Sequence, residues 1–146
     1  MPASAPVLVR PPVSAAATML VDRSRAGLLQ ACAARSAGER YVAAHLSALR
    51  AAAAVLAMRG RPSLRGGPRS VWEVLPRTAP ELAEWAAFFA ATASRRAAIE
   101  AGRGDAISIR EADDLLRDGE IFHQVVVGLL GLPYHAVLPL ALPACG

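Results

Sequence analysis

The chain contains no lysine, so all 16 of its basic side chains are arginine, and alanine fills 33 of its 146 positions. That pairing has the mark of coding bias, which makes the net charge of +4 weak support for a nucleic-acid partner. Cysteine is almost missing: Cys32 and Cys145 offer neither a disulfide framework nor a metal-site spacing, and a reducing cytoplasm is the natural home. No HxxxH, HExxH or CxxC occurs, so no metal is expected. No GxSxG or SxxK sets up a serine nucleophile, and no Gly-rich loop joins a strand to a helix, so no cofactor is expected either. A secretory leader is not read at the N-terminus, because Pro6, Arg10, Pro11 and Pro12 interrupt any apolar run. Residues 125–146 carry no charge, but Pro133, Pro139 and Pro143 argue against a continuous membrane span, and no membrane association is expected.

What is present favours helices. Alanine has the highest helix propensity, and the β-branched stretches are short, so the chain reads as all-α. Residues 1–13 hold three prolines after Ala5 and no periodicity and read as a disordered tail. Helices are expected over 15–34 and 37–58. The second is started by a capping box of Ser36 with Glu39 and buries Val42, Leu46, Leu49, Ala53 and Leu56. The stretch RGRPSLRGGPR, 59–69, reads as an exposed loop: a patch for phosphate contacts, or, more simply, a solvated linker without the aromatic residues that base stacking needs. SVWEVL, 70–75, forms a short helix stopped by Pro76, with Trp72 and Leu75 as a lid on the bundle. A further box, Thr78 with Glu81, starts a helix to about Ala101 whose inner side holds Leu82, Ala86, Phe89 and Ala93. Trp85 and Phe88 carry its apolar arc toward the other side, as a helix that meets two neighbours or a second subunit would need.

The best-marked helix spans 108–131, opened by a capping box of Ser108 with Glu111. Ala112, Leu115, Leu116, Phe122, Val126, Leu129 and Leu130 share its apolar side. Opposite them, Arg110 with Asp114 and Asp113 with Arg117 are spaced as helical ion pairs, each worth a few tenths of a kcal/mol. The expected architecture is therefore an antiparallel four-helix bundle over 14–131, with an extra short helix between the second and third long helices. The apolar, proline-spaced tail 132–146 either packs across the bundle or stays loose.

Imidazole titrates near neutrality, so the three histidines are the first candidates for chemistry. His135 has no acidic or basic neighbour in sequence. His45 follows Arg40 with four residues between, and His123 follows Arg117 with five. On ideal helices the members of these pairs point about 140° and 120° apart. Neither pair converges on one phosphate from a single straight helix, and a second subunit would have to supply the missing half. For both histidines the plain alternative is a partly buried ring satisfied by a hydrogen bond.

The runs ERYVAAHL from Glu39, RSVWEVL from Arg69, PELAEWAAFF from Pro80 and READDLLRD from Arg110 resemble a small bacterial branch of the HEPN superfamily, the higher eukaryotes and prokaryotes nucleotide-binding domains. The resemblance covers residues 20–132. It implies a helical bundle that commonly forms homodimers. In many such domains it also implies metal-independent RNA cleavage by an arginine and a histidine a few residues apart near the last helix. By that resemblance His123 would exchange a proton with the RNA, Arg117 would hold the phosphate and Asp118 would orient one of them; Arg40 and His45 form a second candidate pair. The functions implied are an RNA-cleaving or nucleotide- or RNA-binding homodimer, or a non-catalytic module that pairs with itself or with another protein through Trp85 and Phe88.

Overall fold

The structure, a computed structural model, describes residues 12–60, 70–103 and 107–145. Five α-helices follow in order: α1 (Ala15–Cys32), α2 (Ala37–Arg59), α3 (Val71–Thr78), α4 (Ala83–Glu100), entered through a 3₁₀ turn at Pro80–Leu82, and α5 (Ile109–Leu129). The described residues include no strand. The fold is the all-α bundle expected, four long helices and a short one. The tail reading over 1–13 and the loop reading over 59–69 fall almost wholly outside the described residues.

Local chemistry sets the helix ends. Ser14, Ser36, Ser70 and Ser108 each accept a hydrogen bond from a backbone N–H of the first turn they precede, meeting one of the donors every helix start leaves open. At Ser108 the box is reciprocal, since Glu111 also accepts from the Ser108 N–H. α4 and α5 end alike. Gly102 and Gly131 take φ of 91° and 69°, and the two residues of each turn bond back to Ile99 and Ala98, and to Gly128 and Val127. This closing turn requires a left-handed residue, which glycine supplies without steric cost.

Two expected boundaries differ. Pro76 does not stop α3, which continues to Thr78; the ring removes one N–H, and the last turn still closes through the Ala79 N–H to the Leu75 carbonyl at 2.7 Å. Thr78 is consequently the end of α3 rather than a cap for the next helix, and its buried hydroxyl has no hydrogen-bond partner. Glu81 instead pairs with Arg59 at the end of α2.

α2 is the central helix. It packs along α1 and α5 and touches α3 and α4. It is the one described helix long and apolar enough to cross a membrane, but most of that stretch is buried inside the bundle. Gly27 lets α1 approach it closely: a Cβ there would stand 3.1 Å from the Ser47 Cβ. An aromatic group fills the other side of the core. Phe89 of α4 stacks on Trp72 of α3 at 5.0 Å and meets Phe122 of α5 at 5.2 Å, so Trp72 and Leu75 do form a lid over the bundle. α4 contributes only Ala86 and Phe89 to the fully buried core and leaves its other side open.

The C-terminal tail packs across the bundle. Val137, Leu138 and Cys145 are buried. The Leu138 N–H donates to Glu120 at 2.8 Å, Arg117 donates to the carbonyls of Pro139 and Leu140, both at 2.7 Å, and Arg40 donates to the Pro143 carbonyl at 2.8 Å. A segment whose prolines remove N–H donors is thus held mainly through its carbonyls, by arginines that have only donors to give.

Candidate functional site

The candidate residues of α5 fall on different sides of that helix, as 100° per residue requires. Arg117 is turned to the tail, and it also reaches Glu120 at 3.5 Å. The pairing expected between Asp113 and Arg117 is not formed. Asp113 faces Arg40 of α2 at 2.6 Å, because a buried guanidinium has the stronger demand for a counter-charge than an exposed one. The weaker pair, Arg110 with Asp114, stands at 4.0 Å on the solvated face.

Asp118 lines a surface pocket of about 300 Å³ with Glu84, Trp85 and Phe88 of α4. Burial pushes its carboxyl pKa above the usual range, and the neighbouring Asp114 pushes it further. Trp85 is half-buried against Phe122 and Phe89, while Phe88 stays 39% exposed.

His123 points the other way, toward α1, and is only 4% exposed. Its Nδ1 lies 2.9 Å from the Ser24 hydroxyl. Ser24 in turn lies 3.2 Å from the Ser47 hydroxyl, which donates to the Ser24 carbonyl at 2.6 Å. A second pocket, of about 250 Å³, opens where His123 meets α1 and the first residues of the tail, and Arg25, Asp22, Tyr134 and His135 share its wall. Burial lowers the His123 pKa below its ordinary value; the Arg25 charge lowers it further, and Glu120 opposes them. Arg25, not Arg117, is therefore the guanidinium that this imidazole feels.

Arg40 and His45 are both fully buried. The Arg40 Nε donates to the Ala31 carbonyl at 3.0 Å and its Nη2 to the Cys32 carbonyl at 2.8 Å, so this side chain caps the end of α1. His45 sits edge-on to Trp72 and Phe89, and its Nε2 donates to the Phe89 carbonyl at 3.0 Å. That leaves Nδ1 buried with no partner. Desolvation lowers its pKa more than the bond to Phe89 raises it, so the ring is neutral at pH 7.

Each sequence candidate is thus placed, but the structure does not bring Arg117, Asp118 and His123 to one point within a chain. It does bring His123 and His135 to one pocket, although eleven residues lie between them in sequence. Ser24, Arg25 and Ser47 were not singled out as site residues from the sequence. Neither Arg25 nor the two serines carry a motif. Among the described residues no three side chains of the His, Cys, Asp and Glu types gather as a metal site.

A family model describing an HEPN-like domain matches residues 31–127, about two thirds of the chain. The matched segment begins at the end of α1 and stops within α5, so it leaves out Arg25 and the tail. No curated protein and no solved structure matches the chain.

Proposed function

This chain belongs to the HEPN family, and on that premise we propose that it works as a non-catalytic helical module that pairs with a second copy of itself through the outer face of α4. The observation that carries this reading is the exposed Phe88 beside the half-buried Trp85 and the adjoining pocket, on a helix that buries only two residues in its own core. Large aromatic side chains around a concavity are the usual anchors of a protein interface. α4 has 18 residues and is about 27 Å long, enough to contribute to an interface of standard size. The pairing habit that the HEPN resemblance implies points the same way.

RNA cleavage by Arg117, Asp118 and His123 draws less support. The Arg117 guanidinium is engaged by tail carbonyls and Glu120, and His123 opens toward α1. A pairing face on α4 would include Asp118 but leave His123 on the other side of its own helix. A phosphate at that boundary would lack its proton-transfer partner.

Sedimentation velocity and RNA incubation test the two readings together. The wild-type chain is expected to sediment as a dimer, Phe88→Ser as a folded monomer, and single-stranded RNA to remain uncut without added metal. A monomeric wild type would overturn the pairing face. RNA cleavage that disappears in His123→Ala would overturn the non-catalytic reading.

A further inference from the structure

The pocket beside His123 has properties that self-pairing through α4 does not use. Its volume of about 250 Å³ lies just below the ordinary range for small-molecule sites. One wall is apolar, with Val127 and Leu132; the other holds Arg25, His123 and His135, with Asp22 as its carboxylate.

Arg25 is half-buried, yet among the described residues it forms no ion pair. Its one polar contact is a long bond, 3.5 Å, from Nη1 to the His135 carbonyl. A guanidinium carries five N–H donors, so most of them lack a protein acceptor. Arg40 and Arg117, by contrast, make four and three hydrogen bonds to carbonyls and carboxylates. The His123 imidazole lies beside Arg25 in the same wall. The His123 Nδ1 is taken by the Ser24 hydroxyl at 2.9 Å, which also contacts the Ser47 hydroxyl at 3.2 Å.

We propose that this pocket binds the oxyanion end of a small molecule, a phosphate monoester or a carboxylate, with Arg25 as its anchor and His135 as a further donor. Leu132 and Val127 give the body of the ligand an apolar rest, and the volume limits that body to about a single ring. Charge-assisted bonds from a partly desolvated guanidinium are the strong kind, and the planar fork suits both oxyanions. Arg25 and His135 both lie outside the family-matched segment, so the site is built from this chain's own α1 and tail.

Isothermal titration of the full chain with inorganic phosphate, phenyl phosphate and benzoate tests the proposal. Saturable one-to-one binding of phenyl phosphate or benzoate is expected, tighter than that of inorganic phosphate; whichever of the two binds more tightly identifies the oxyanion. Arg25→Gln, with its helicity checked by circular dichroism, should weaken binding about tenfold or more. Arg23→Gln, a neighbour outside the pocket, and Phe88→Ser, on the pairing face, should leave it unchanged. Absence of saturable binding for all three probes, undiminished binding to Arg25→Gln, or an equal loss in Arg23→Gln would each overturn the site.

Discussion

Arg40 is a buried charge that ties separate parts of this fold together. It is 0% exposed and joins three parts of the chain: the carbonyls of Ala31 and Cys32 at the end of α1, Asp113 of α5 at 2.6 Å, and the Pro143 carbonyl of the tail. Replacement by methionine keeps much of the length and apolar stem but strands these acceptors. Ala31 is fully buried but its carbonyl keeps the Ala34 N–H at 3.2 Å, so it bears only part of the cost of an unmet buried bond, about 1–3 kcal/mol. Cys32 is half-buried and loses part of that. Asp113 is 36% exposed and Pro143 is open to solvent, so water recovers most of their loss. Relief of the guanidinium's own desolvation opposes these terms, which leaves a net loss of about 1–3 kcal/mol for Arg40→Met. Asp113→Asn retains an acceptor and leaves Arg40 bonded to three carbonyls, so it should lose only about 1 kcal/mol. Urea denaturation followed by circular dichroism measures both. A loss below about 0.5 kcal/mol for Arg40→Met, the range of an ordinary surface change, would refute the claim that this arginine ties α1, α5 and the tail together.

Three further outcomes follow from the same structure. His45 and His123 both have pKa values lowered from 6.5 by burial, so the unfolded chain takes up their protons first. Stability should be full above that pH and decline as pH falls below it, until the folded-state values are reached; His45→Gln and His123→Gln should each flatten the slope of the urea midpoint between pH 7.5 and 5.5, and a midpoint constant over that interval in the wild type would contradict the burial of both rings. Gly128→Ala, where an added Cβ meets nothing within 4 Å, should gain up to about 1 kcal/mol from helix propensity. Gly27→Ala should instead lose about 1 kcal/mol, because the Ser47 Cβ, 3.1 Å away, belongs to a side chain anchored on the Ser24 carbonyl; thermal melts that rank the two variants the other way would refute the close α1–α2 contact. Leu138→Ala should cost about 2 kcal/mol if the tail is part of the packed core, and an unchanged melting temperature would mean that it is not.

Much of the fold was legible because helix signals are local. Serine caps, alternation of apolar residues at the helical period, and glycines where the chain must turn left-handed all act within one or two turns, so four long helices, a short one and the Trp72 lid could be read from residue order. The two boundary errors, at Pro76 and Thr78, share a cause. A proline near the end of a helix removes one bond without breaking the packing of Trp72 and Leu75 beneath it, and tertiary burial outweighed the local stop signal.

The site was legible only as a set of directions. Periodicity fixes where Arg117, Asp118 and His123 point around their own axis, hence their separation, but not what stands opposite each one. Only the tertiary structure decided that Arg117 and Arg40 would hold tail carbonyls, that Asp113 would face α2, and that His123 would meet Ser24, 99 residues away in sequence, beside Arg25. The physical reason is that helical hydrogen bonds close within four residues, whereas a buried charge or imidazole takes its partner from whichever element packs against it.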